Sequence, residues 1–518
     1  MRLSFLLALL TTAIAGFASD RAPNPTFEIA APVAAQTKID KLVFDRLKRL
    51  DIQPAFPCSD AVFLRRVYLD VIGTLPTAQE ASGFLQDSAA NKRAGLIDRL
   101  LERDEFADYW AMKWSDLLRV KAEFPINLWP NAAQAYFHWI RAGIRENKPY
   151  DRFVRDLLTA SGSNFRTAPV NFYRAMQSKD PAAIAQTVAL TFMGTRAENW
   201  PKERLAGMAG FFAQLAYKET GEWKEEIVFF KPSPAPVAAV FPDGTPAKLT
   251  PGRDPRELFA DWLITPKNPW FTRNIANRVW SWLLGRGIIH EADDIRADNP
   301  PVNPELLTYL EQELSGSKYD LKHLYRLILN SQTYQLSSIA RSESADAAAN
   351  FAQYPLRRLD AEVLADAICE ATGTTETYTS AIPEPFTFIP EDQRSISLPD
   401  GSITSAFLEL FGRPARDSGL EAERNNRLTA SQQLHLLNSS HVERKIEQSP
   451  KFQYAIRNSK NGQALVTALY LMILSRPPTE EELKTVGTYT QTGTLKPRDA
   501  TIDLAWALMN SAEFLYRH

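Results

Sequence analysis

The side chains best suited to chemistry in this chain are carboxylates set beside arginines. Asp70 follows Arg65 and Arg66 in the run FLRRVYLD, and Asp360 and Glu362 follow Arg357 and Arg358 in RRLDAE. A neighbouring guanidinium keeps a carboxylate ionised, so Asp70 and Asp360 are the candidate acid or base of a carboxylate-dependent reaction on a glycan. Such a pair needs its two carboxyls ~5–10 Å apart across an open cleft. Arg65, Arg278 and Arg358 are the candidate ligand-binding cations, suited to an anionic or sugar-like group. Trp129, beside Pro130 in a loop-like stretch, is the candidate exposed aromatic platform. The plainer reading of the same charges is an internal Arg–Asp/Glu network joining helices, since a buried Arg must be paired, usually with carboxylate. No spacing signature selects the ligand-binding reading over that one.

Other chemistries lack their residues. The histidines at 138, 290, 323, 435, 441 and 518 show no metal-ligating spacing, and His435 and His441, six apart, would lie on nearly opposite faces of one helix. No metal and no cofactor are expected. There is no nucleophile elbow, phosphate loop or dinucleotide fingerprint. Gly285-Arg-Gly287 is too short for a glycine motif and is expected to end a helix over Asn274–Leu284, with Gly in the left-handed conformation. A net charge of −2, with both signs interspersed, gives no basic field for nucleic acid. Cys58 and Cys369 are expected as two separate thiols.

Helices must position these groups. Leu42, Phe44, Leu47 and Leu50 recur at near-helical spacing, and Ala61–Ile72, Arg93–Leu101 and Phe106–Val120 continue the pattern. Thr77-x-x-Glu80 is a capping box. Trp110, Trp114, Trp139, Trp280 and Trp282 fall in helical stretches and are expected in the core. Between Glu226 and Pro255 repeated prolines exclude helix, and Ile227–Phe230 and Val237–Phe241 are short strand candidates. A second Pro-rich insertion runs over Ile382–Gly401. The fold class is therefore mainly α: a multi-helix body of two helical modules with a small β element in the Pro-rich connection.

The two ends of the chain repeat each other. YLDVIGTLPT (Tyr68–Thr77) aligns without a gap on YLMILSRPPT (Tyr470–Thr479), and each continues to a Glu three positions on. Each closes in a helix of the form L-x-x-x-L-[LM]-x-x-x-x-F, at Leu96–Phe106 and Leu504–Phe514; Leu324–Tyr334 is a third copy of that helix. Ser331 and Ser511 stand three residues before the aromatic and are placed to cap the next turn. Leu100, Ile328 and Leu508 should face the interior at equivalent positions.

FLRRVYLD with Gly73 and Leu75-Pro-Thr77, then NPWFTRNIANRVW from Asn268, Ser331–Tyr334, Arg358-Leu-Asp-Ala-Glu362 and Leu434–Asn438, recur in this order in a pair of domains of unknown function. In that respect the chain resembles exported planctomycete-type proteins described as cytochrome C-associated. The resemblance implies a haem-attachment Cys-x-x-Cys-His after Thr191-Phe-Met-Gly194. Here the segment is Thr195-Arg-Ala-Glu-Asn-Trp-Pro201, without Cys or His, so covalent haem has no local ligands. A second departure lies at Leu420 and Ala422, where such relatives often carry Cys-x-Cys. The form here lacks the haem motif.

The first 18 residues read as a signal peptide: Arg2, an apolar stretch from Leu3 to Ile14, and a Gly16-Phe17-Ala18 cleavage site. No later stretch approaches the ~20 apolar residues of a membrane span. The expected organisation is signal peptide 1–18, flexible leader 19–36, first helical module 37–225, Pro-rich connection 226–255 and second helical module 256–518. The expected protein is exported, periplasmic or extracellular, and of uncharacterised function. The leading reading is a haem-less binding or assembly protein with an exported protein partner or an extracellular glycan. The alternative is a carboxylate-dependent enzyme acting on an extracellular glycan.

Overall fold

The structure is a computed structural model and describes residues 21–233, 238–491 and 496–518. The expected signal peptide lies outside the described residues. The fold is mainly α, 51% helix and 5% strand, with two small sheets among the described residues. Among the described residues, no helix is long and apolar enough to cross a membrane.

Local signals start and stop these helices where their chemistry requires. Thr77 accepts from the backbone of Glu80 while the Glu80 carboxylate reaches back to Thr77, closing the capping box of the Ala78–Gln86 helix. Gly285, at φ 69°, ends the Phe271–Leu284 helix in the left-handed region. The Asp60–Val71 helix starts at Ser59, whose hydroxyl accepts from Val62 N–H. It is buried on nearly every face, with Arg65, Arg66 and Asp70 inside along with Phe63, Leu64 and Val67. A helix buried all round belongs in the middle of a body rather than on its surface, and its three buried charges must find partners there.

That central helix explains the architecture. One continuous apolar core runs from Ile39 to Phe514. The Ala78–Gln86 helix packs on the Gly462–Leu474 helix, so the two ends of the chain meet. The end units share one element order. Asp60–Val71, Ala78–Gln86 and Lys92–Leu101 lead to Phe106; Gly462–Leu474, Glu480–Gln491 and Pro497–Met509 lead to Phe514. Residues 21–31, expected within a flexible leader, are docked. Arg21 pairs with Glu28 at 2.5 Å and donates to the Ile339 carbonyl, and Glu28 bridges Cys58.

The β structure is wider than expected. Glu226–Phe230 is a strand in the connection, but its antiparallel neighbours are Leu215–Glu219 and Gly162–Ser163, from the preceding module. The register sets Val228 against both Tyr217 and Gly162. A second, two-stranded ladder pairs Arg357–Arg358 with Tyr516–Arg517. This ladder matters most for the charged centre, because it delivers Arg517 next to Asp360.

Candidate functional site

Asp70 sits in the last turn of the central helix, and Asp360 stands just before the Ala361–Thr372 helix. One Asp70 oxygen accepts from the hydroxyls of Tyr334 (2.9 Å) and Tyr354 (2.7 Å). The other faces Arg517 at 3.2 Å and Arg357 at 3.3 Å. Asp360 occupies the N-cap position but makes no capping hydrogen bond. Its oxygens instead accept from Asn426 (2.7 Å), Lys113 (3.0 Å) and Arg517 (3.1 Å). A single guanidinium thus joins the two candidate carboxylates. Burial alone would raise the Asp360 carboxyl, and the charges of Lys113, Arg517 and Arg424 outweigh it, holding it well below the usual carboxylate range.

A second layer extends this network. Glu362, fully buried, binds Arg424 at 2.6 Å and lies 3.4 Å from Arg413. Arg424 reaches Asp116 at 2.7 Å, and Asp116 holds Arg416 at 3.0 Å. Burial would raise Glu362, but the Arg424 guanidinium brings it down to about 2. Beside this layer, Arg278 pairs with Asp293 at 2.7 Å and with Glu421 at 3.3 Å. The Trp282 indole donates to Glu421 at 2.9 Å. A cleft of about 250 Å³ opens here between Lys113, Asp116, Trp282, Leu420, Glu421 and Arg424. Glu421, 32% exposed, is pushed up by its desolvating surroundings and by Asp293 against the pull of Arg278.

This arrangement limits the chemistry of the nominated pair. Asp360, ringed by cations, is held as the anion and has no proton to give, and the lone pairs of both carboxylates are already engaged by neighbouring side chains. Asp70 and Asp360 are each buried, and neither lines the charged cleft. A glycosidic pair would need an open face for substrate and water.

The nominated arginines divide. Arg278 is paired with the carboxylates of Asp293 and Glu421. Arg65 and Arg66 are not: their hydrogen-bond partners are main-chain carbonyls, and one nitrogen of each, Arg65 Nε and Arg66 Nη2, is left without a partner among the described residues. Arg65 donates to Ile473 (2.9 Å) and Phe514 (3.0 Å), and Arg66 to Tyr334 (2.6 Å), Leu336 (2.8 Å) and His518 (2.8 Å). The carbonyls at helix ends and turns have no intrahelical partner, and a guanidinium fork supplies several donors at once. Arg358 donates to the Gln432 side chain and the Phe411 carbonyl, both at 2.5 Å. These residues bridge segments within the body, and the ligand-cleft expectation for Arg65 and Arg358 does not match their placement.

Trp129 is not in a free loop. It immediately precedes the Pro130–Arg145 helix, at φ 72°, and is half-buried. Its ring meets Trp223 at 4.6 Å and Phe386 at 5.4 Å.

The break between two helices corrects the reading of histidine spacing. His435 and His441 lie on separate helices, Ala430–Asn438 and Ser440–Glu447, so their rings approach to 5.8 Å instead of facing apart. His441 pairs with Glu376 at 3.0 Å. Among the described residues no group of three or more His, Cys, Asp or Glu is arranged to hold a metal ion. Cys58 and Cys369 are unpaired, in keeping with two separate thiols.

An apolar crevice of about 430 Å³ lies where Trp110, Trp114, Tyr150 and Phe153 face Leu321 and Tyr325. The segment after Gly194 has no donor set for covalent haem. Thr195 Oγ1 donates to the Ile295 carbonyl, and Trp200 stacks with Arg204 at 4.0 Å. These residues do not fit the group that the cytochrome-associated resemblance implies.

Sequence reasoning missed Arg517, Lys113 and Glu421. Arg517 has one local sign, a charge in the apolar run after Phe514; nothing in its neighbourhood places it near Asp70. Residues 38–205 match the family described as PSCyt2, protein of unknown function (DUF1549), and residues 255–490 match PSD1, protein of unknown function (DUF1553). No curated protein and no solved structure matches the chain. The charged centre is built from both matched regions, with Asp70, Lys113 and Asp116 from the first and Asp360, Glu362 and Arg424 from the second, and the two matches to domains of unknown function stand as a pair, PSCyt2 before PSD1.

Proposed function

We propose that this is an exported binding or assembly protein without haem of its own, and not a carboxylate-dependent enzyme acting through Asp70 and Asp360. The observation that carries this reading is the shared Arg517 guanidinium, 3.2 Å from Asp70 and 3.1 Å from Asp360. Both carboxylates are committed to holding the N-terminal and C-terminal regions together. The resemblance to cytochrome-associated exported proteins supports the compartment, and the 195–201 segment supports the absence of covalent haem. In this reading the expected signal peptide 1–18 directs export, and modules 37–225 and 256–518 form a rigid frame whose surface carries the ligand or partner.

Two measurements test it together. Protein made in a host that matures c-type cytochromes should give no pyridine haemochrome band. Incubation with a panel of soluble polysaccharides should release no new reducing ends. A haemochrome band would overturn the haem-less part, and reducing ends lost in Asp360→Asn but retained in a folded surface control would overturn the non-catalytic part.

A further inference from the structure

Three aromatic rings from distant parts of the chain converge on one exposed spot. Trp129 comes from the turn before the Pro130–Arg145 helix, Trp223 from the turn between the Leu215–Glu219 and Glu226–Phe230 strands, and Phe386 from the second Pro-rich insertion. Each ring touches the other two: Trp129–Trp223 at 4.6 Å, Trp129–Phe386 at 5.4 Å and Trp223–Phe386 at 5.2 Å. Trp223 is nevertheless 60% exposed and Phe386 41%. Core packing does not require such exposure, and apolar rings gathered and left open mark a contact surface.

The three segments are tied to one another and to the body. The Trp129 turn is closed by Leu128 N–H on the Lys121 carbonyl (3.2 Å) and Trp129 N–H on the Ala122 carbonyl (3.1 Å). The Glu123 carboxylate accepts from Ala381 N–H at 3.1 Å, joining that turn to the Pro-rich insertion. The Trp223 turn is pinned by Asn164, whose side-chain amide donates to the Lys224 carbonyl at 3.1 Å, and by Thr220 on Glu225 at 2.8 Å. The rings are thus set in place by bonds that do not involve a ligand, which reduces the ordering cost of binding.

Lys224 gives the patch its charge. Its ammonium lies 5.2 Å from the Trp129 ring centre and 5.8 Å from that of Trp223, within cation–π range. The side chain is exposed, and no carboxylate among the described residues pairs with it. Extending the binding reading above, we propose that Trp129, Trp223, Phe386 and Lys224 form a binding site for an acidic polysaccharide. A pyranose ring has apolar C–H faces that pack on indole and phenyl, and a uronate or sulfate on the same sugar meets the ammonium. A second copy of the chain is a poorer occupant. Mutually tilted rings, at 53–75° to one another, offer single ring faces the size of a sugar but no extended flat apolar surface. Three side chains also fall well short of the ~1,000 Å² that a stable interface needs.

Affinity electrophoresis of the full chain tests this, in native gels containing polygalacturonate, dextran sulfate or neutral dextran. The net charge of −2 offers no bulk attraction to polyanions. Retardation is expected in at least one acidic gel and absent in dextran. Trp223→Ala and Trp129→Ala should weaken it at least tenfold, and Lys224→Gln should weaken it while leaving the thermal midpoint unchanged. Trp223 and Lys224 are exposed, so those two variants keep the test independent of folding. Wild-type retardation in all three variants, equal retardation in dextran, or no retardation in any gel would overturn the proposal. Loss of self-association in Trp223→Ala, seen by sedimentation, would also overturn it by making a second copy the occupant. Release of reducing ends from a retained glycan would instead sink the non-catalytic reading and leave the location of the site standing.

Discussion

Arg517 and Asp360 meet at 3.1 Å, and the same guanidinium lies 3.2 Å from Asp70. Arg517 reaches that position through the Arg357–Arg358 ladder with Tyr516–Arg517, so the C-terminal strand delivers the charge that two distant carboxylates share. Their partners differ, and the difference is measurable. Asp360 accepts from Lys113, Arg517 and Asn426, whereas two of the three hydrogen bonds to Asp70 come from neutral tyrosine hydroxyls.

Asp360→Asn should therefore cost more than Asp70→Asn. Removing the anion strands Lys113 and Arg517 as buried charges, and breaking a buried pair costs ~3–5 kcal/mol. In Asp70→Asn the amide oxygen can still accept from Tyr334 and Tyr354, so a loss of about 2 kcal/mol is expected. Urea unfolding of the two variants checks the order. Equal losses would mean that the cations around Asp360 find other partners.

Glycine positions separate backbone strain from crowding. Gly285 has φ 69°, and a Cβ there would lie 2.3 Å from Cδ of Arg357. Arg357 in turn donates to the Trp282 and Leu283 carbonyls and faces Asp70. Gly244 has φ 89° with nothing near a Cβ. Gly244→Ala should show only the left-handed strain of ~1–2 kcal/mol. Gly285→Ala should lose clearly more, because Arg357 must also move. Thermal midpoints that fall equally would remove the crowding argument.

The charged centre also predicts acid behaviour. Glu362 titrates at about 2 in the folded chain against 4.5 for an ordinary glutamate. Its folded pKa is depressed, so its contribution is present above about 4.5 and is lost as pH falls towards about 2. At ~1.4 kcal/mol per unit, that contribution is up to roughly 3 kcal/mol. Urea midpoints for wild type and Glu362→Gln should differ at pH 7 and converge between pH 4.5 and 2. A difference that stays constant with pH would show that the carboxylate acts by shape alone.

What could be read from sequence follows the range of the interactions. The capping box at Thr77, the Gly285 terminator and the Ser caps depend on residues within a few positions, and all appear as their local chemistry requires. The paired arginines were recognisable as buried polar groups. Their partners were not, because carbonyls of Phe514 and Tyr334 stand hundreds of residues away from Arg65 and Arg66. The His435–His441 approach is invisible to spacing because the helix breaks at Ser439, whose hydroxyl caps a new one. Trp129 stands out beside Pro130, but Trp223 and Phe386 share no motif with it. Only the packing of three loops gathers them.

Three related helix ends share one hydrogen-bond pattern. Residues 103, 331 and 511 donate their backbone N–H to the carbonyls of Leu100, Ile328 and Leu508, at 3.2, 3.0 and 3.1 Å. In two of them a serine also accepts from the N–H of the aromatic that follows, Ser331 from Tyr334 and Ser511 from Phe514, each at 3.2 Å. The first copy has Arg103 there and makes no such side-chain bond to Phe106. Leu100, Ile328 and Leu508 are all buried in the one core. Each change to Ala should cost ~2–5 kcal/mol. Ser331→Ala and Ser511→Ala should each lose about 1 kcal/mol. Because the core is continuous between the chain ends, each loss should move the whole unfolding transition, read alike by far-ultraviolet circular dichroism and tryptophan fluorescence. A Leu508→Ala protein that unfolds in two steps, with the first module keeping its wild-type midpoint, would show that the end units fold as separate bodies.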